Sequence, residues 1–338
     1  MSSVAMPLGA LPNLIGGSEA FLRTLELIKR MARFDVPVLI QGETGTGKEL
    51  AARAIHYLSP RRQAPFVALN CGAVPENLIE TELFGCERGA FTDARQARTG
   101  LIAAAKGGTF FLDELDSLPL RAQVTLLRFL QDKTYRPVGS IREHGSDVRV
   151  IAAASPRLQQ MLLNGAFRDD LAFRINVLML EMPPLREREG DAVLLAKHFI
   201  ERHAVHYGVS PRCLDPRSRA WVQEYRWPGN VRELDNLIQR ALLLSDGTCL
   251  DLLRQAAGAL PSRSDCGRTP APLTSYGDAR AKALCNFERQ YLETLMAATA
   301  GNVTRAARLA GKERRALGKL LKKHGLQQAG FHEAVHAE

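Results

Sequence analysis

The sequence predicts an α/β protein: a mostly parallel β-sheet covered by helices, followed by two smaller helical parts. Three observations carry this prediction. Short apolar segments alternate with helical segments over residues 16–190, the strand signal disappears over residues 191–256, and a basic helical segment follows over residues 281–326. Alternation of strands and helices is typical of parallel sheets with helices on both faces.

The composition is that of an ordinary globular protein. Hydrophobic residues make up 46% of the 338 residues and charged residues 24%, a balance that allows a sizeable core. The length predicts two or three domains. We find no run of about 18 apolar residues that would predict a membrane span, and no signal peptide. We therefore expect a cytoplasmic protein.

The six cysteines are scattered along the chain, and none forms a CxxC pair. This spacing argues against a zinc site and against a disulfide framework. In a reducing compartment the default state is the free thiol. We therefore expect free thiols at Cys71, Cys86, Cys213, Cys249, Cys266 and Cys285.

The sheet is predicted to lie in the first part of the chain, after an irregular arm over residues 1–15. Candidate strands lie at 36–41, 66–70, 109–112, 148–153 and 177–182. Each is almost continuously apolar, as expected of strands buried on both faces. Helical segments lie between them, for example at 49–58 and 121–131.

The second part, residues 191–256, is predicted to be a helical subdomain. Its helices are expected at 194–203, 216–224 and 231–244. Residues 257–280 are rich in Gly, Pro and Ser, which indicates a flexible linker. The chain is predicted to be helical again over 281–326 and to end in a tail over 327–338.

A glycine-rich turn follows the first predicted strand and opens a helix. A turn in this position lets backbone N–H groups approach phosphate oxygens, and a lysine can reach the terminal phosphates. Glu49 replaces the Ser or Thr that usually holds Mg²⁺. The alternative is a tight turn with a solvated lysine. The candidate phosphate-binding residues are Gly42, Glu43, Thr44, Gly45, Thr46, Gly47, Lys48 and Glu49.

Two acids end the third predicted strand. Asp113 and Glu114 follow Thr109–Leu112 and would face the glycine-rich turn, because the carboxyl ends of parallel strands share one edge of the sheet. We expect Asp113 to hold Mg²⁺ and Glu114 to polarise the attacking water. Alone, the pair could equally be a solvated acidic turn.

Phosphoryl transfer also requires positive charge near the developing negative charge. Arg168 and Arg174 are candidates within the segment FRDDLAFR. Their spacing of six does not place them on one helical face. Local ion pairs with Asp169 or Asp170 are the simpler interpretation of the residues alone.

Taken together, these residues resemble the AAA+ activators of sigma-54 RNA polymerase, the bacterial enhancer-binding proteins. The resemblance covers residues 14–326. It rests on GETGTGKE (42–49), ELFGCERGAFTDA (82–94), GGTFFLDEL (107–115), FRDDLAFRINV (167–177), PPLRER (183–188), WPGNVREL (227–234) and a Fis-like C-terminal segment. It implies an AAA+ P-loop parallel-sheet domain over 16–190, an α-helical lid over 191–256 and a small all-α helix-turn-helix domain over 281–326.

The resemblance also implies ATP and Mg²⁺ as ligands and gives residues roles that spacing cannot. Glu49 is usual in this family. Asn70 matches the asparagine that positions the catalytic glutamate, here Glu114. Arg168 and Arg174 match arginine fingers that reach the ATP of a neighbouring subunit, and Arg232 matches the sensor II arginine. Because each site is completed by a neighbour, a ring, usually a hexamer, is implied.

Two positions depart from the family pattern. The sigma-54 contact loop usually reads GAFTGA, and here an aspartate replaces its second glycine, which restricts the backbone and adds a charge. Ala154-Ser155 replaces the usual Thr-Asn of sensor I, and a serine has a shorter reach. The loop residues are Gly89, Ala90, Phe91, Thr92, Asp93 and Ala94.

The basic C-terminal segment is predicted to bind DNA. Small and apolar residues over 302–311 form one helical face, Gly311 provides a turn, and a basic helix follows over 312–324. This is the arrangement of a helix-turn-helix. A helical hairpin for oligomerisation and a solvated helix face are the alternatives. The candidate DNA-binding residues are Arg305, Lys312, Arg314, Arg315, Lys319 and Lys322.

The first hypothesis is a transcription activator that hydrolyses ATP as a ring to remodel sigma-54 RNA polymerase from upstream enhancer DNA. A second is a DNA-binding regulator whose AAA+ domain oligomerises without remodelling, favoured by Asp93 and Ser155. A third, another AAA+ machine such as a replication loader or unfoldase, is disfavoured by the GAFTDA segment. The predicted ATPase begins within the first twenty residues, so we expect control by a regulatory protein acting in trans or by expression level.

Overall fold

The structure is a computed structural model. It describes residues 14–90, 96–245, 247, 249–253, 255, 288, 291, 292, 295, 296, 299 and 302–323. The chain divides into two compact units, residues 1–260 and 261–338. The predicted linker over 257–280 and tail over 327–338 lie outside the described residues. No helix in the described part combines the length and hydropathy that a membrane span requires.

A five-stranded parallel sheet organises the first unit. The strands are β1 (Val38–Gln41), β2 (Phe66–Asn70), β5 (Thr109–Asp113), β8 (Arg149–Ala154) and β9 (Leu178–Glu181). Their order in the sheet is β2-β5-β8-β1-β9. All five predicted strands are confirmed, with ends that shift by at most two residues. β1, the central β8 and most of β5 are buried, which explains their continuous apolar character.

Helices cover both faces of this sheet, and each face has its own core. On one face lie α1 (Glu19–Ala32) and α2 (Lys48–Tyr57). On the other lie α3 (Ile79–Phe84), α4 (Leu101–Ala104), α5 (Leu120–Asp132), α6 (Arg157–Leu163) and α7 (Asp169–Ile175). The predicted helices at 49–58 and 121–131 correspond to α2 and α5.

Two small antiparallel pairs form sheets of their own, separate from the five-stranded sheet, and the sequence analysis did not predict them. β3 (Gly85–Cys86) pairs with β4 (Arg98–Thr99), and β6 (Thr134–Tyr135) pairs with β7 (His144–Gly145). Each strand has two residues, which is too short for an alternating pattern to be visible.

The helical subdomain, here called the lid, contains α8 (Asp191–Tyr207), α9 (Pro216–Glu224) and α10 (Asn230–Leu244). Its core surrounds Trp227, whose indole N–H donates to the Val222 carbonyl at 3.0 Å. α8 is longer than the predicted 194–203. It begins after Gly190 and ends before Gly208, and both glycines have positive φ, so the helix fills the whole interval between two glycine caps.

The lid also contains two strands and a disulfide, which corrects the prediction of free thiols. β10 (Cys213–Leu214) and β11 (Cys249–Leu250) pair in parallel and place Cys213 opposite Cys249. The two cysteines are disulfide-bonded, with Cα atoms 4.7 Å apart. The tertiary register, not sequence spacing, brings them together. Cys71 and Cys86 are buried free thiols; Cys266 and Cys285 lie outside the described residues.

The predicted arm over 1–15 is wrong at its last two positions. Leu14 packs against the α1–α2 core and Ile15 against the lid core. The Ile15 carbonyl accepts a 2.6 Å hydrogen bond from Arg188, which is buried in an ion pair with Asp191. A buried charge pair thus joins the start of the fold to the start of the lid. Residues 1–13 lie outside the described part.

The second unit has a separate core around two short helices, α11 (Val303–Leu309) and α12 (Arg314–Lys323). The side chain of Asn302 caps α11 by accepting from the N–H groups of Thr304 and Arg305, both at 3.1 Å. Gly311 has φ of +61° and makes the turn between the helices. The second helix begins two residues later than predicted, and His324 lies outside the described residues.

Candidate nucleotide site and nucleic-acid interface

A cavity of about 490 Å³ lies at the carboxyl edge of the sheet, between the sheet and the lid. Segments that are distant in the sequence line it: the glycine-rich turn, the residues after β5 and β8, and the start of α10. The lining residues are Thr44, Gly45, Gly47, Lys48, Glu49, Leu50, Asp113, Glu114, Asp116, Ser117, Ser155, Arg157, Val231, Arg232 and Asp235.

The glycine-rich turn has the backbone of a phosphate cradle. Gly45 and Gly47 have φ of +80° and +96°, a region that favours glycine. The turn is held by Thr46, whose hydroxyl donates to the Glu43 carbonyl at 2.8 Å. α2 then begins at Lys48, and its first residues line the cavity; the first N–H groups of an α-helix have no partner within the helix. A helix N-terminus in this position favours an anion.

Lys48 is partly buried in the same cavity. Its ammonium group donates to the carbonyls of Gly42 and Glu43 at 2.8 and 3.1 Å. Burial lowers the pKa of Lys48, and the nearby carboxylate of Asp113 opposes this effect. The lysine thus closes the turn while its charge lies next to the acidic end of β5.

Asp113 ends β5, and Glu114 follows it in a left-handed conformation with φ of +53°. The Glu114 N–H donates to the Asp113 carboxylate at 3.0 Å. Burial raises the pKa of Asp113. The two consecutive acids enter the cavity from one strand end, with Asp113 partly buried and Glu114 exposed.

Asn70 ends β2 directly opposite Asp113 in the sheet register. Its side-chain oxygen accepts hydrogen bonds from the N–H groups of Gly72 and Ala73 at 2.8 and 3.1 Å. A Cβ atom on Gly72 would lie 2.3 Å from the Glu114 carboxylate and 3.4 Å from the Asn70 oxygen. The two side chains therefore approach the same point, and only glycine leaves room between them.

The two candidate arginine fingers lie elsewhere. Arg168 precedes α7 and pairs with Asp170 at 2.7 Å, the local ion pair that was the simpler alternative. Arg174 is in the last turn of α7 and is exposed. Among the described residues, neither arginine lines the cavity of its own chain.

The lid contributes Arg232 from the first turns of α10, and its charge acts on Lys48 across the cavity. Sequence reasoning missed Asp116 and Asp235, which also line the cavity. Asp116 accepts hydrogen bonds from the hydroxyl and N–H of Ser155 at 2.7 and 3.1 Å, so it fixes the sensor I position. The only signal in the sequence for Asp116 was its position, three residues after Asp113 at the end of β5.

The remaining residues of the turn differ in their surroundings. Thr44 is exposed, and Gly42 packs closely on Met182. Glu49 lies at the cavity and forms an ion pair with Arg53, one helical turn later, at 2.7 Å. Glu43 is described, but it is not one of the described residues that line the cavity. Its carboxylate accepts a hydrogen bond from the segment that precedes the lid.

The contact-loop prediction is only partly within the described residues. Gly89 has φ of +81°, and Ala90 lies against Gly139 between β6 and β7. The Glu87 N–H donates to the Val138 carbonyl at 3.0 Å, so the base of the loop rests on the β6–β7 segment. Phe91, Thr92, Asp93 and Ala94 lie outside the described residues.

The helix pair of the second unit separates apolar from basic residues. Its core contains Val303, Ala306, Ala307, Leu317 and Leu321, with Leu320 packed against them. All six candidate DNA-binding residues are exposed, namely Arg305, Lys312, Arg314, Arg315, Lys319 and Lys322. The core and the basic surface therefore occupy different faces of the pair.

Three family models match consecutive parts of the chain. The "Sigma-54 interaction domain" matches residues 14–181, the "AAA+ ATPase lid domain" residues 186–260, and "Bacterial regulatory protein, Fis family" residues 283–324. These are the three folded parts that the resemblance implied.

Relatives match over almost the whole chain. The transcriptional regulatory protein GlrR of Escherichia coli (strain K12) is 43% identical over 316 residues, covering 94% of this chain and 69% of GlrR. The DNA-binding transcriptional regulator NtrC of the same organism is 38% identical, covering 94% of this chain and 71% of NtrC.

The fold is likewise that of solved structures. The crystal structure of NtrX from Brucella abortus aligns with a TM-score of 0.73 at 33% identity, covering 93% of this chain and 70% of NtrX. NtrX has also been solved in complex with ATP, and that structure aligns with a TM-score of 0.72. The chain belongs to the family of sigma-54-dependent transcriptional activators, with an AAA+ domain, a lid and a Fis-type helix-turn-helix.

Proposed function

We propose that the chain hydrolyses ATP as a ring oligomer, a hexamer, and uses hydrolysis to remodel sigma-54 RNA polymerase and open promoters. One observation carries the proposal: Lys48, Asp113, Glu114 and Arg232 share one cavity, while Arg168 and Arg174 lie outside it. Such a site has binding and water-activating groups but lacks the cations that a neighbouring subunit would supply.

The residues fit ATP and Mg²⁺. The positive-φ glycines and the start of α2 suit phosphate oxygens, and carboxylate oxygens are ligands that Mg²⁺ prefers. The loop 42–49 would bind the phosphates, with Lys48 on the terminal ones, and Asp113 would hold Mg²⁺. Mg²⁺, when bound, supplies positive charge to the phosphate oxygens.

Glu114 is proposed as the group that activates water. Its carboxylate orients the water and accepts a proton as the water oxygen bonds to the γ-phosphorus. The bond to the β–γ bridging oxygen breaks, and ADP and inorganic phosphate leave. Asn70 restrains Glu114 from the other side of Gly72, and Arg232 holds the lid over the terminal phosphate.

Arg168 and Arg174 are proposed to act on the ATP of the neighbouring subunit. Both side chains are exposed, Arg168 just before α7 and Arg174 in its last turn. An arginine placed at the γ-phosphate stabilises charge in the transition state, with effects of about 10³–10⁵ on rate. Oligomerisation is then a requirement of catalysis.

The second unit is proposed to tether the ring to upstream enhancer DNA. Its exposed basic residues would contact phosphates and base edges, with α12 in the major groove. The loop over 89–94 would contact sigma-54, with Phe91 and Thr92 as the expected contact residues. A regulator that binds DNA and oligomerises without remodelling is the second candidate, favoured by Asp93 in that loop.

Mixing two inactive variants tests the shared site. Glu114→Gln removes the water-activating carboxylate, and Arg174→Ala removes the finger, so each variant alone should hydrolyse ATP poorly. In a mixed ring, an Arg174→Ala subunit keeps its Glu114 and receives Arg174 from a Glu114→Gln neighbour. ATPase activity should therefore return on mixing. A mixture as inactive as its components would contradict the trans role.

A further inference from the structure

The side chain of the second residue of the phosphate loop forms its hydrogen bonds towards the lid and not within the cavity. We propose that Glu43, Arg186 and Asn230 form a latch that couples the phosphate loop to the lid and thereby positions Arg232. The inference rests on the proposed nucleotide site. It makes Glu43 a positioning residue, although its place in the loop first suggested a phosphate ligand.

The carboxylate of Glu43 is fully engaged. Arg186 donates to both of its oxygens, at 2.7 and 2.8 Å, in a two-pronged ion pair. Asn230 donates to one of the same oxygens at 3.1 Å. The hydrogen-bonded guanidinium of Arg186 lowers the pKa of Glu43. A carboxylate held by two partners from outside the loop fixes the loop's orientation to those partners.

Asn230 joins three segments through one buried amide. Besides the Glu43 bond, its Nδ2 donates to the Thr44 carbonyl at 3.1 Å, and its Oδ1 accepts from the Leu185 N–H at 2.8 Å. The residue is fully buried and begins α10 with φ of +52°. Asparagine tolerates this left-handed conformation better than most residues, and its side chain supplies both the donors and the acceptor.

The backbones of the loop and the lid also touch. The Val231 N–H donates to the Gly45 carbonyl at 3.1 Å. A Cβ atom on Gly45 would lie 2.3 Å from the Gly229 carbonyl oxygen, so the two glycines approach as closely as glycine permits. Arg232 is the next residue of α10. A movement of the loop would therefore also move the first turn of α10, which carries Arg232.

The latch mainly fixes the orientation of Arg232 relative to the phosphate loop, and it contributes little to the stability of the fold. The Arg186 and Glu43 side chains are 41% and 32% exposed, and ion pairs at such positions contribute little to stability. Breaking the pair should leave the lid folded on its own core around Trp227. What is lost is the fixed geometry between the loop and Arg232.

The test compares Glu43→Gln and Arg186→Met, each in the wild-type and Arg232→Ala backgrounds. Affinities for ADP and for a non-hydrolysable ATP analogue are measured by competition with a fluorescent nucleotide on the full chain. Each latch variant should reduce the preference for the ATP analogue over ADP by about tenfold. Neither should reduce it further when Arg232 is already absent, because the latch acts through that residue.

Arg23→Met is the matched control, since Arg23 forms an exposed ion pair with Glu19 and is not among the described residues that line the cavity. It should leave the nucleotide preference unchanged, and the melting temperatures of the latch variants should match its own. A wild-type preference in both latch variants would overturn the latch. So would an equal loss in the Arg232→Ala background. A wild-type chain that neither binds nor hydrolyses ATP would instead refute the proposed function.

Discussion

DNA binding by this chain should depend steeply on salt. All six candidate DNA-binding side chains around α11 and α12 are exposed. Each phosphate neutralised releases counterions and contributes about −0.9 to the slope of log affinity against log salt. Six contacts give a slope of about −5 for each bound helix-turn-helix. Raising monovalent salt from about 50 to about 200 mM should then weaken binding on the order of 10³-fold.

The variant that tests this number is Lys319→Gln, which removes one charge from the exposed face of α12. Fluorescence anisotropy with a labelled duplex, repeated at several salt concentrations, gives the slope. It should become shallower by about 0.9. Arg128→Gln, at an exposed position of α5 in the other unit, should leave the slope unchanged. Equal slopes for Lys319→Gln and wild type would refute the assignment of Lys319 to the phosphate interface.

Three further predictions concern stability and reactivity. The Cys213–Cys249 disulfide joins two lid residues that are 36 positions apart in the sequence, so reduction should lower the free energy of unfolding by about 4 kcal/mol; denaturant melts with and without reductant measure this, and the double serine variant should lose the reductant effect. Arg188→Met leaves the buried carboxylate of Asp191 without its cation and should cost about 3–5 kcal/mol in the same melts; a cost below about 1 kcal/mol would contradict the ion pair's role. Burial raises the pKa of Cys71 to about 12, so its thiol stays protonated and should resist iodoacetamide at pH 8 until the chain is unfolded; rapid labelling of the native protein would refute this.

The sheet was predictable because its strands are buried on both faces. Burial makes β8 apolar at nearly every position, and the same is true of most of β5. Parallel topology then places Asp113 and the loop before α2 at one edge. The strand order was not predictable, because hydrophobicity identifies strands without stating which ones are neighbours.

The features that could not be predicted from the sequence depend on contacts between residues that are far apart along the chain. Glu43 and Asn230 are 187 positions apart, and nothing in either motif states that one side chain meets the other. The lid disulfide depends on the register of two strands of two residues each. In contrast, the Arg168–Asp170 pair is local, and the simplest interpretation of its sequence described it correctly.

Promoter opening by sigma-54 RNA polymerase is the most direct test of the proposed function. Purified chain, ATP and the polymerase are combined on a closed promoter, and unpaired bases are detected by permanganate reactivity. ATP-dependent opening is predicted for the wild type and none for Glu114→Gln. ATP hydrolysis by the wild type without opening would contradict the activator role and support a regulator that has lost remodelling. Asp93→Gly would then be expected to restore opening.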